Sequence, residues 1–94
     1  MEEKIIDALL TKRMKILLFL FDCPLRFTDL KAKTKFSTST LSNCLKEMKK
    51  LGMIRLNFDE TKSHKEGLKY SLTGTGQKLA ELGKKITEEI RTLS

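Results

Sequence analysis

The sequence predicts a mainly α-helical chain with one small β-hairpin, and three observations carry that prediction. Apolar residues recur at spacings of three and four through the first half of the 94 residues. After Gly52 the pattern switches to alternation: Met53, Ile54, Leu56 and Phe58, then Leu68, Tyr70 and Leu72, with Asp59 to Gly67 wholly polar or glycine between the two runs. The helical spacing then returns in Leu79, Leu82, Ile86, Ile90 and Leu93. A chain of this length is expected to form a single domain, residues 1–94, with one modest core.

Each element has a local reason. Residues 2–11 carry Ile5, Ile6, Leu9 and Leu10 at helical spacing, with Glu2, Glu3 and Asp7 suited to the positive end of a helix dipole. Arg13 to Phe21 is apolar on most sides, which suits a central helix packed all round, and Asp22-Cys23-Pro24 ends it because proline disfavours a helical residue before it. Leu25-Arg26-Phe27 is expected to be extended, with the Thr28 hydroxyl capping a helix from Asp29 to about Thr34 whose buried side is Leu30. A turn follows around Lys35 and Phe36. Ser37 is then a good N-cap for a helix from Thr38 to Leu51, with Leu41, Cys44, Leu45, Met48 and Leu51 on one face and Gly52 closing it. The two alternating runs make a hairpin with a projecting loop at 59–67. Thr73 or Thr75 caps a last helix reaching about Leu93, roughly 30 Å long at 1.5 Å per residue.

Charge is distributed unevenly. The window from Lys31 to Arg55 holds seven lysines and arginines against the single acid Glu47, a net +6 of the chain's +7. Residues 1–30 are neutral and residues 56–94 sum to +1. A basic stripe confined to one supersecondary unit, a helix-turn-helix followed by the start of a hairpin, is the footprint of a surface that meets a phosphate backbone. Other classes find less support. No nucleophile with its base, carboxylate pair or phosphate loop is legible, so an enzyme is not expected. Gly74-x-Gly76 lacks a lysine and a preceding βαβ context and is a strand-to-helix turn. Two cysteines and one histidine make no metal knuckle, and no metal or other cofactor is expected. The longest apolar run, Ile16 to Phe21, is six residues, so no membrane span is expected, and neither is a secretory leader. The expected location is a reducing cytoplasm. Cys44 lies on the buried side of its helix, and Cys23 has no cysteine near it in sequence to resolve an oxidised sulfur.

The segments Pro24-Leu25-Arg26-Phe27-Thr28-Asp29-Leu30, Ser37 to Met48, Gly52-Met53-Ile54 and Tyr70-Ser71-Leu72-Thr73-Gly74-Thr75-Gly76 resemble the winged-helix transcriptional regulators. The HxlR type is most alike, with the MarR and PadR types next, and the likeness covers about residues 12–82. Met14 stands where that family often has tryptophan, and the usual cysteine-proline pair near the N-terminus is missing. The resemblance implies a winged helix-turn-helix with a core at 12–76 and dimerisation helices at 1–11 and 77–94. It also implies a sequence-specific regulator of double-stranded DNA, a dimeric repressor that lays helix 38–51 in the major groove and the 59–67 wing on flanking DNA. The alternative class is a winged-helix interaction module within a larger nucleic-acid assembly.

Candidate site residues follow. Ser39, Ser42, Asn43, Lys46 and Lys50 point away from the buried face of the helix, and Ser37 and Thr40 add hydroxyls near its N-terminus, where free N–H groups favour a phosphate. Asn43 can pair with adenine and Lys46 can reach guanine. Lys31, Lys33 and Lys35 are placed to clamp the backbone beside the groove. In the wing, Lys62, His64 and Lys65 offer charge to adjacent DNA, partly cancelled by Asp59, Glu60 and Glu66. Arg55 suits either a phosphate or a neighbouring carboxylate, whereas Tyr70 suits packing better than base stacking. The stripes Ile5, Ile6, Leu9 and Leu10, and Leu82, Ile86, Ile90 and Leu93, exceed what one small domain can cover, which favours a homodimer. Any small-molecule effector would need a pocket at that junction, and the sequence names none.

Overall fold

The computed structural model describes residues 11–58 and 67–93, and within them four helices surround a two-stranded hairpin. Helix α1, Lys12–Asp22, starts where the Thr11 hydroxyl accepts the Met14 N–H at 3.2 Å. It stops at Cys23, which is extended (φ −166°, ψ 159°) as the residue before Pro24 must be. Ile16, Leu17 and Leu20 are buried, and α1 packs against every other helix and against the hairpin.

Helix α2, Phe27–Thr34, begins two residues earlier than the sequence suggests, and a different group starts it. The Asp29 carboxylate reaches back to the Arg26 backbone N–H and to its Nε, both at 3.2 Å, so a charged acceptor displaces the Thr28 hydroxyl from the capping role. Leu25 is extended as expected. It exchanges backbone hydrogen bonds with Tyr70, 3.0 Å and 2.7 Å, as an isolated antiparallel bridge. At the other end, Lys35 takes the left-handed conformation (φ 62°) and donates its N–H to the Lys31 carbonyl, which turns the chain toward the next helix.

Helix α3, Thr38–Lys50, is capped by Ser37, whose Oγ accepts the Thr40 N–H at 3.2 Å. Its buried face is Leu41, Cys44, Leu45 and Met48, and Gly52 (φ 76°) follows it in the left-handed region. Strands β1, Ile54–Phe58, and β2, Leu68–Leu72, pair antiparallel with Ile54 opposite Leu72, Leu56 opposite Tyr70 and Phe58 opposite Leu68. That register gathers the apolar residues on one face. It leaves Arg55, Asn57, Lys69 and Ser71 on the other, where Asn57 Nδ2 donates to Ser71 Oγ at 2.7 Å.

Helix α4, Gly74–Leu93, is held at its start by Thr73, whose Oγ1 accepts the Gly76 N–H at 3.1 Å and whose own N–H donates to the Met53 carbonyl at 3.1 Å. Two glycines set how closely it packs. A methyl at Gly76 would lie 1.9 Å from the Met53 carbonyl oxygen, and one at Gly83 would lie 2.4 Å from Met14 Sδ. The crossing that Gly83 permits is therefore within the protomer, between α4 and α1, where Met14 occupies the space. Ile16, Leu30, Leu41, Leu45 and Met48 form the fully buried centre, joined by Leu17, Leu20, Leu25, Cys44, Ile54 and Ala80.

Candidate nucleic-acid interface

The helix that offers a recognition surface is positioned by the face it hides. With Leu41, Cys44, Leu45 and Met48 in the core, the 3.6-residue period turns Ser39, Asn43, Lys46 and Lys50 outward, and all four are exposed. Ser42 and Thr40 sit on the flanks and are half-buried. Ser37 and Thr40 already use part of their hydrogen-bonding capacity on the cap, since Ser37 Oγ donates to Thr40 Oγ1 at 2.9 Å while accepting the Thr40 N–H. Asn43, Lys46, Glu47, Lys49 and Lys50 line an open depression along this helix.

The three lysines of α2 and its turn do not act alike. Lys31, Lys33 and Lys35 are all exposed, but Lys33 Nζ lies over the Phe19 ring, 5.9 Å from its centroid. Lys35 is the left-handed turn residue itself, so its side chain leaves the backbone where α2 gives way to α3. Lys12 Nζ, at the start of α1, lies over the Phe36 ring, 5.9 Å from its centroid. Arg55 is exposed on the outer face of the hairpin, diagonal to Lys69 across the strand pair. Tyr70 is half-buried against the core, and that burial raises its phenol above the ordinary value, so it is a packing residue. Lys62, His64 and Lys65 lie outside the described residues, as do Ile5, Ile6, Leu9 and Leu10.

Two features of this surface escape the sequence pattern. Glu47, the only acid in the basic window, is paired with Arg13 Nη2 from the start of α1, and the hydrogen bond and charge of that carboxylate raise the guanidinium further above its ordinary value. Arg13 and Glu47 are 34 residues apart and no local motif links them. The second is a departure on α4: of the expected stripe, Leu82, Ile86 and Leu93 are exposed, at 55%, 48% and 86%, as the spacing suggests. Ile90 differs from the expected stripe. It is only 8% exposed within the protomer, whereas the other three residues of the stripe are exposed. No helix among the described residues is long and apolar enough to cross a membrane, and no group of three or more metal-ligating side chains occurs among them.

A helix-turn-helix whose second helix is exposed along one polar face, followed by a hairpin and a long helix, defines a winged helix-turn-helix protein, the architecture of DNA-binding transcription regulators. A model of the HxlR-like helix-turn-helix family matches residues 9–93, and the chain belongs to that family. No curated protein sequence matches it. Among solved structures it is similar to the adhesin competence repressor AdcR of Streptococcus pyogenes, with a TM-score of 0.80 and 20% identity over 90% of this chain and 62% of that one. A point variant of ZitR from Lactococcus lactis gives 0.80 and 17% over 88% of this chain and 56% of that one. A point variant of MepR from S. aureus gives 0.76 and 21% over 98% and 69%. These neighbours are MarR-family winged-helix regulators, and at such identities they establish the fold. The chain spans about three fifths of the length of the first two.

Proposed function

We propose that the protein is a dimeric, sequence-specific regulator of double-stranded DNA that acts as a repressor. One observation supports this reading: the surplus charge of the chain falls on one continuous unit, from Lys31 and Lys33 of α2 through the Lys35 turn and the exposed face of α3 to Arg55 at the start of the hairpin. In this reading α3 enters the major groove, with Asn43 and Lys46 addressing base edges and Ser39, Ser42, Thr40 and Lys50 at the groove walls. Ser37 lies at the α3 N-terminus, where the backbone N–H groups and the helix dipole favour a phosphate. Lys31, Lys33, Lys35 and Arg55 neutralise flanking phosphates, and the 59–67 wing, through Lys62, His64 and Lys65, lies along the adjacent DNA. The exposed Leu82, Ile86 and Leu93 of α4, with Ile5, Ile6, Leu9 and Leu10, form the twofold contact. Two copies then present α3 to half-sites about 34 Å apart. The fold and family are those of regulators rather than enzymes.

The test is fluorescence anisotropy of the purified protein with a mixed-sequence labelled duplex over a salt series, with Asn43→Ala and Lys46→Ala alongside. Binding that weakens steeply with salt and falls in both variants supports the reading. A folded, dimeric protein that binds no duplex at low salt refutes it and turns attention to protein partners of the same basic face.

A further inference from the structure

The ion pair between Arg13 and Glu47 sits at the edge of the proposed reading face, and its placement calls for a role. Glu47 is the only acid between Lys31 and Arg55, and it lies on α3 beside the face that carries Asn43, Lys46 and Lys50. On a helix, residues three and four apart are neighbours. Two groups on its own helix are therefore within reach of the Glu47 carboxylate: the Lys50 ammonium, three residues on, and the Asn43 amide, four residues back. Neither is its partner. The carboxylate is turned instead to Arg13 Nη2 on α1, and Lys46, Lys49 and Lys50 make no ion pair among the described residues. Both partners of the pair are about half exposed, with side chains at 44% and 50%, so the contact lies at the surface where a duplex would approach.

We infer that Arg13 is a positioning residue for DNA binding: by holding Glu47 aside on α1, it keeps Lys50 and Asn43 available to the duplex. Without the guanidinium, the carboxylate turns along α3 and pairs with Lys50, which removes one cation from the phosphate contacts and places a negative charge beside the groove. Arg13 thus acts through Glu47 and need not touch DNA. This rests on the DNA-binding reading of the same face.

A comparison of five proteins separates this inference from that reading. Wild type, Arg13→Gln, Arg13→Lys, Glu47→Gln and the Arg13→Gln/Glu47→Gln double variant are titrated with the labelled duplex over a salt series, with circular dichroism confirming the fold. Glutamine keeps the aliphatic stem of Arg13 packed while removing its charge. Arg13→Gln should weaken binding several-fold and lower the slope of log affinity against log salt by about 0.9, the loss of one phosphate contact. Adding Glu47→Gln should restore both, Glu47→Gln alone should change little, and Arg13→Lys should retain most of the binding. A wild type that binds DNA with Arg13→Gln unchanged, or with Glu47→Gln giving the same gain whether Arg13 is present or not, overturns the inference and leaves the DNA reading standing. A wild type that binds no duplex overturns both.

Discussion

Substituting Gly76 by alanine should loosen the joint between the hairpin and the last helix. The added methyl would lie 1.9 Å from the Met53 carbonyl oxygen and 2.9 Å from its carbon, and 3.3 Å from Leu72 Cδ2. Two of those three atoms are backbone, so no side-chain rotation relieves the clash and the first turn of α4 must move by more than an ångström. That same carbonyl accepts the Thr73 N–H at 3.1 Å, and the movement sacrifices this hydrogen bond. Overpacking of this kind costs about 1–3 kcal/mol, and the hydrogen bond about 1 kcal/mol more. The gain in helix propensity on replacing glycine offsets up to about 1 kcal/mol. The net expectation is a loss of about 1–4 kcal/mol, which for a domain of this size lowers the melting temperature by about 5–30 °C. Differential scanning calorimetry at one fixed protein concentration measures it, the fixed concentration being needed because the proposed dimer would couple association to stability. Gly74→Ala is the internal control, since nothing lies within 4 Å of a methyl there, and it should stay within about 0.5 kcal/mol of wild type. A Gly76→Ala protein that melts with the control would show that α4 is not seated on the Met53 carbonyl.

Other substitutions address separate contacts. Ser37→Ala removes the cap of α3 and should cost about 1 kcal/mol in urea unfolding. Ser37→Asp keeps a capping acceptor but sets a negative charge at the proposed phosphate site, so it should preserve stability while weakening DNA binding. A variant that loses both would count against the division of roles. Asp29 is held below its ordinary value by hydrogen bonds from the Arg26 guanidinium and backbone. Because the folded carboxylate is the more acidic, its contribution to stability is present above an unfolded value of about 3.9 and is lost as pH falls through the folded value. The urea midpoint of wild type should therefore fall more steeply below about pH 4 than that of Asp29→Asn, and parallel curves would contradict this. If the protein is the proposed dimer of about twice 10.8 kDa, Leu82→Asp combined with Ile86→Asp should give monomer in sedimentation equilibrium; a variant that keeps a wild-type dimer mass would place the contact elsewhere, and a monomeric wild type would refute the dimer.

Local chemistry makes much of the fold legible in the amino-acid sequence. Ser37, followed by apolar residues at helical spacing, announces its own cap, and the switch to alternation after Gly52 can only be a change of element. The alternation also fixes which hairpin side chains face the core, hence Arg55 outward and Tyr70 inward. What the pattern does not reveal depends on partners distant in sequence or on competition between nearby ones. Two groups are available to start α2, and the choice between the Thr28 hydroxyl and the Asp29 carboxylate turns on the added attraction of the Arg26 guanidinium. Ile90 has the same spacing as Ile86, yet it is buried and Ile86 is exposed, a difference that spacing alone does not reveal. The Arg13 contact to Glu47 and the Met14 contact to Gly83 join elements far apart in the chain, and nothing in the neighbouring residues of either marks them.

The bridge between Leu25 and Tyr70 has a bearing on how such a surface changes over time. It joins the segment that leads into the helix-turn-helix to the second strand of the hairpin, and it does so with main-chain groups alone. The lead-in to α2 is thus tied to the second strand through the backbone, while Leu25 and Tyr70 also pack into and against the core. Substitutions on the outward face of α3 can alter what the helix addresses without re-aiming the hairpin beside it. If α3 is the reading helix proposed above, its outward side chains can change by small steps while the frame that carries them stays fixed.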